Sequence, residues 1–200
     1  MRKWIFIVLA ILVVAIFLSY QFFFKGPDLS KYEYLKTPEI TKIADQKMLV
    51  VTAVGDPNKI VPKSFGLLFQ TYFKLKNNKM GMQPPRARWP KPFTTPKDQW
   101  LGLYALPVSQ TAELPEGLKQ TDPNVKVEFQ AWKYGTVAQI LHIGSYTAEA
   151  PTVEKLKKSI REEGYRIVGP HEEEYLKGPG MFGPGDPNKY YTIIRYSVAK

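Results

Sequence analysis

The segment His171-Glu172-Glu173-Glu174-Tyr175-Leu176 is the densest run of groups in this chain able to move a proton or hold a cation. Read as a strand, it sends His171, Glu173 and Tyr175 to one face and Glu172, Glu174 and Leu176 to the other. A carboxylate on an apolar face without a counter-charge is costly, so it takes up a proton with a raised pKa or waits for a cation. Ionised, it would attract a lipophilic cation; with a shifted pKa, it would orient or deprotonate water as a general base. Three successive glutamates also suit the solvated edge of a sheet, and residue types alone leave both readings open.

Aromatic rings are the second resource, with 4 Trp, 12 Tyr and 11 Phe in 200 residues. A cavity walled by such rings grips flat or cationic ligands by stacking and cation–π contacts of roughly 0.5–2 kcal/mol each. Trp89, Tyr104 and Tyr175 are assigned to pocket lining, joined by Tyr146 and Tyr191. His142 and His171 are the only histidines. They stand in different predicted strands with no metal-ligand spacing, so no metal, haem or other cofactor is expected. Arg195 is expected to pair with surface carboxylates. With no cysteine, disulfides, thiolate metal clusters and thiol catalysis are excluded. Both GDPN segments, at 55–58 and 185–188, lack the ending and context of a phosphate loop and are read as turns. No serine-hydrolase elbow occurs.

These groups need elements to position them. QKMLVVTAVG, ending at Gly55, alternates like a strand, and Pro62 opens a helix carrying Phe65, Leu68, Phe69, Tyr72 and Leu75 at helical spacing. The prolines that follow leave room only for a short edge strand around Arg86–Trp89, before the strand WLGLYALPV. VKVEFQAW turns through KYG into TVAQILHIGSY, and Pro151 begins a helix with Val153, Leu156 and Ile160 in its stripe and Gly164 at its end. HEEEYL and KYYTIIRYSV complete the set. The order strand, helix, strand, strand thus occurs twice, in 47–108 and 137–198. The expected fold is α+β: two βαββ modules in one antiparallel sheet, both helices on one face, and a central cleft.

HIGSY (142–146), GYRIVGPHEEEYLKGP (164–179) and TIIRYSV (192–198) resemble the second module of the GyrI-like family, the small-molecule-binding domain shared with effector-binding domains of multidrug-responsive regulators. TPEITKIADQKMLVVTAVGDPN (37–58) agrees more loosely with the first module, and the likeness covers about residues 38–199. The resemblance implies a duplicated βαββ fold with a central hydrophobic pocket for bulky, often cationic molecules. It also implies that Glu173, two residues before Tyr175, is the pocket glutamate. Some similar proteins hydrolyse strained cyclopropane-bearing compounds, and there Glu173 would be the catalytic group. A non-catalytic membrane adaptor is a third reading.

Where those regulators carry a DNA-binding helix-turn-helix, this chain has WIFIVLAILVVAIFLSYQFFF at 4–24, with 19 apolar residues of 21 and no charge. At 1.5 Å per residue it matches a hydrocarbon core of roughly 30 Å. The expected organisation is an anchor at 1–25, a stalk at 26–43 and the ligand-binding domain at 44–200. All 18 acidic residues follow Lys25, which leaves 26–200 at a net charge of +7. Lysine and arginine are scattered without a stripe, so no nucleic-acid partner is expected. Lys25, Lys31, Lys36 and Lys42 after the span outnumber Arg2 and Lys3 before it, a count that favours an inside domain. A long domain behind a signal-like N-terminus is exported regardless of such charges, and we expect a single-pass protein with its domain outside the cytoplasm.

Overall fold

The computed structural model describes residues 28–92, 94–118, 125–179 and 185–200. The chain divides into two compact units, residues 1–31 and 32–200. The fold described below is that of the second. The expected anchor, 4–24, lies outside the described residues. No helix among the described residues is long and apolar enough to cross a membrane.

The elements are β1 (Glu39–Ile43), β2 (Gln46–Val54), α1 (Pro57–Tyr72), β3 (Arg86–Trp89), β4 (Leu101–Pro107), β5 (Val125–Trp132), β6 (Gly135–Ile143), α2 (Ala150–Glu162), β7 (Arg166–Ile167), β8 (His171–Lys177) and β9 (Tyr191–Ala199). The strands form one antiparallel sheet in the order β1-β6-β9-β8-β3-β4-β2-β5, with β7 on the end of β9. That order reads alike from both ends. The run β6-β9-β8 meets β3-β4-β2 at the β8–β3 pair, and each outermost strand, β1 or β5, bonds to the other half of the chain.

Three sequence expectations are corrected here. The second half of the proposed stalk is part of the fold: Glu39–Ile43 pairs along β6, a short alternating run that needed its partner to show itself. The first helix begins at Pro57 rather than Pro62. Asp56 caps it by accepting from the Asn58 amide at 3.0 Å, and Pro57 sits in the first turn, where its missing N–H costs nothing. The first GDPN is therefore a helix start, and in the second Asp186 caps a short 3-10 turn in the same way. Strand β3 is central rather than at an edge, because Pro84, Pro85 and Pro90 flank its four residues without interrupting them.

Helix α2 buries Val153, Leu156 and Ile160. It closes with Tyr165 N–H donating to the Ile160 carbonyl at 2.9 Å while Gly164 takes φ +73°. Its stripe packs on Ile140, Ile194 and Tyr196, and α1 lays Leu68 and Tyr72 on Leu49, Val51 and Tyr104. Register shows that these contacts share one face. Ile140, Ile194, Glu173, Ala87, Tyr104, Val51 and Val127 stand side by side across seven strands. All seven are buried, and Glu173 is the only charge among them.

The other face carries charge in register. Arg195 pairs with Glu172 across β8–β9, and Glu172 with Arg88 across β8–β3. Arg195 donates to Glu172 Oε1 at 2.6 Å, to Glu174 Oε2 at 3.0 Å and to Gln139 Oε1 at 3.1 Å. Arg88 donates to Glu172 Oε2 at 2.7 Å, and its guanidinium lies 3.9 Å from the Trp132 ring centre. The Tyr134 hydroxyl accepts from Arg86 at 2.7 Å and donates to Glu172 at 3.1 Å. Arg195, expected at the surface, is 4% exposed at the centre of this network. On a central strand, opposite Glu172, its guanidinium is enclosed by Glu172, Glu174, Gln139 and the Tyr134 ring.

Candidate functional site

Strand β8 separates its carboxylates as alternation requires. Glu172 and Glu174 join the arginines, while Glu173 goes to the helix face with His171 and Tyr175. Glu173 Oε1 lies 2.9 Å from His171 Nε2, and Oε2 accepts from the Tyr175 hydroxyl at 2.5 Å. His171 Nδ1 lies 2.8 Å from the Tyr196 hydroxyl, a contact whose donor follows the imidazole tautomer. Burial holds the Tyr196 hydroxyl up at about 12, with Glu154 and Glu173 adding to the effect. Burial and the Glu173 carboxylate raise Tyr104 and Tyr175 as well, so these hydroxyls remain neutral donors.

The structure adds a carboxylate that sequence reasoning missed. Glu149, just before α2, is 8% exposed and brings an oxygen within 4.8 Å of His171 and Glu173. Its Oε1 has no hydrogen-bond partner. Burial, and secondarily the charge of Glu173, pushes its carboxyl up to about 9, so it is a neutral acid at pH 7. It gave no local signal, because thirteen residues of helix and most of a loop separate it from β8 in sequence. These three residues, all buried, could together hold a cation or metal ion.

Aromatic rings close over the acids. Phe65 of α1 meets Tyr104 edge-on at 5.2 Å and Tyr175 at 5.8 Å. Trp89 packs 5.7 Å from Tyr104, and Tyr146 lies 5.5 Å from Tyr175 and 5.3 Å from Tyr190. Of the residues expected to line a pocket, Tyr104, Trp89, Tyr175 and Tyr146 therefore gather around Glu173. Tyr191 does not: it precedes Thr192 on β9 and shares the face of Ile193 and Arg195. Phe65, Tyr190 and Tyr196 join the group instead. Two donors in this wall, the Tyr104 hydroxyl and Trp89 Nε1, are buried without a hydrogen-bond partner. His142 is structural, 3.0 Å from the Thr152 hydroxyl and 3.1 Å from the Ser145 carbonyl.

Two glycines make room for the rings. A Cβ on Gly102 would collide with the Tyr104 ring and hydroxyl, and one on Gly178 would come within 2.6 Å of the Tyr146 hydroxyl. Gly102→Ala is expected to cost about 1–3 kcal/mol by overpacking, seen as a lower denaturant midpoint. An unchanged midpoint would show that Tyr104 is free to move.

A groove of about 370 Å³, lined by Asp45, Lys47, Phe129 and Lys133 among others, lies at the β2–β5 end of the sheet. It is separated from Glu173 by β3 and β4, and the expected central position is taken by the aromatic cluster.

A family profile described as the GyrI-like small-molecule-binding domain matches residues 36–196. The chain belongs to the GyrI-like family. Among solved structures, a hydrolase from Listeria innocua aligns at 21% identity and TM-score 0.66, over 82% of this chain and 92% of that one. An uncharacterised conserved protein from Listeria innocua aligns at 23% and 0.64, over 86% and 98%. The C-terminal domain of EcmrR aligns at 16% and 0.58, over 82% and 98%. At these identities the likeness is one of fold. No curated protein matches the chain. Within the GyrI-like domain, Glu173 lies on the strand pair where the two halves of the sheet meet.

Proposed function

We propose that this GyrI-like chain is a membrane-tethered binding protein for hydrophobic or cationic small molecules, with Glu173 as the counter-charge for the cations. The observation that carries this reading is a mismatch of polarity. One carboxylate stands in a buried, otherwise mostly apolar row, walled by aromatics, beside buried polar atoms of Glu149, Tyr104 and Trp89 that have no partner. Each unsatisfied group costs about 1–3 kcal/mol, and a ligand supplying charge and hydrogen bonds recovers it. Tyr146, 38% exposed and on the same short segment as Glu149, is the side chain whose movement would admit such a ligand. The same reading takes the two βαββ runs as related halves meeting beside Glu173. It makes residues 4–24 a single-pass anchor with the domain outside the cytoplasm. A C-terminal reporter fluorescent only in the cytoplasm should stay dark, and a bright one would reverse the orientation.

The matched pair N-methylquinolinium and quinoline, the second neutral at pH 7, tests the electrostatic core of the proposal. Calorimetric titration should show the cation binding more tightly, with Glu173→Gln weakening it by about tenfold or more and leaving quinoline unchanged. Equal affinities, insensitive to that variant, would sink it.

A second reading is supported by the split between the two acids. Protonated Glu149 next to Glu173 supplies a proton donor and a base within one aromatic site, which suits hydrolysis of a strained electrophile such as a cyclopropanoid. The Listeria innocua hydrolase shares the fold. Turnover that vanishes in both Glu173→Gln and Glu149→Gln would support this; its absence over a panel of such substrates would remove it.

A further inference from the structure

We propose that Glu149, His171 and Glu173 form a binding site for one divalent transition-metal ion of the Zn²⁺ class. The proposal rests on the site placed above but not on its organic ligand, since Glu173 alone suffices for a monovalent cation. Three donors from two separate parts of the chain converge: one atom from each lies within 4.8 Å of the others. Glu149, His171 and Glu173 are 8%, 6% and 7% exposed, so none of them is an incidental surface acid. Glu149 Oε1 is buried without a hydrogen-bond partner, whereas both Glu173 oxygens lie in hydrogen-bond contact.

The surroundings have the form a metal's outer shell takes. A ligating histidine is oriented through its second nitrogen, and a ligating carboxylate is itself hydrogen-bonded. Here His171 Nδ1 is held by the Tyr196 hydroxyl at 2.8 Å, and Glu173 Oε2 by the Tyr175 hydroxyl at 2.5 Å. That leaves His171 Nε2 and Glu173 Oε1, 2.9 Å apart, as adjacent donors. A hydroxyl both donates and accepts, so Tyr196 can accept from Nδ1 in the tautomer whose Nε2 lone pair would face the ion. The set of one imidazole and two carboxylates suits first-row divalent ions better than Ca²⁺ or Mg²⁺, which prefer oxygen alone. Charge balance favours the same answer. Arg86, Arg88 and Arg195 are committed to Glu172 and Glu174 on the opposite face, leaving the acids of this face without them.

The test uses all 200 residues, purified in detergent, stripped with a chelator and reloaded with Co²⁺ or Zn²⁺. About one ion per chain should survive desalting, and Co²⁺ should give visible bands of a protein-bound ion. Glu149→Gln, which preserves shape, should weaken retention about tenfold to a hundredfold, as should Tyr196→Phe by releasing His171. Glu162→Gln, at an exposed carboxylate in the last turn of α2, should change nothing. Circular dichroism confirms that each variant is folded. No retained ion in folded wild-type protein, or retention unchanged in Glu149→Gln, would overturn the site. Titrating N-methylquinolinium into metal-free protein separates this outcome from the one above. Quinolinium binding without Zn²⁺ binding removes the metal and leaves the organic ligand, and the reverse result removes the organic ligand alone.

Discussion

Arg195→Met is expected to destabilise the domain by about 3–5 kcal/mol, the largest loss from any single side chain outside the apolar core. Arg195 is 4% exposed and bridges Glu172 and Glu174 while also donating to Gln139. Methionine fills much of the same volume, so the loss comes from leaving buried carboxylates short of a counter-charge rather than from a cavity. Arg88 and Arg86 retain one contact each to Glu172 and Glu174, which keeps the effect from growing further. Arg195→Lys should recover only part of the loss, because one ammonium cannot serve three acceptors in the planar fork that arginine offers. Urea denaturation at pH 7 measures both variants. A loss under about 1 kcal/mol for methionine would mean that the remaining arginines and Tyr134 satisfy the network by themselves.

The second large effect is a pH dependence of opposite sign to that of an ion-paired carboxylate. Glu149 is raised from 4.5 to about 9 by burial and by the neighbouring Glu173. Between those values the folded state keeps a proton that the unfolded state releases, so stability falls as pH rises, by at most about 1.4 kcal/mol per pH unit. Below the unfolded value both states are protonated and the penalty vanishes. In chelator, Glu149→Gln should therefore match wild type near pH 4 and exceed it by about 3 kcal/mol near pH 7. A difference between the two proteins that stays flat from pH 4 to pH 8 would show that Glu149 ionises in the fold as it does in water. An occupied cation site should offset the same penalty in wild type, since a positive ion supports the carboxylate that burial disfavours.

The alternation of HEEEYL determined on its own that Glu173 would leave Glu172 and Glu174, since a period of two admits no other arrangement within a strand. Val153, Leu156, Ile160 and Gly164 likewise defined α2 with both its buried stripe and its end, because helix periodicity and a left-handed residue are local properties. The aromatic character of the site was equally visible in composition. Only the tertiary structure decided which rings those would be. Tyr191 was drawn in by residue type but faces the arginines, and Phe65, chosen as an ordinary helix-stripe residue, stands between Tyr104 and Tyr175.

Long-range register decided the rest. Arg195 looks like a surface cation until β9 is placed between β6 and β8, and the four residues of β3 look like an edge until β4 and β8 bond to both sides. Glu149 becomes a partner of Glu173 only when α2 folds back across the sheet. A sequence records periodicity, caps and the apolar count directly, because each depends on neighbours a few residues away. Which strand lies beside which, and so which buried charges meet, is a sum over contacts distant in the chain, and no local pattern carries it.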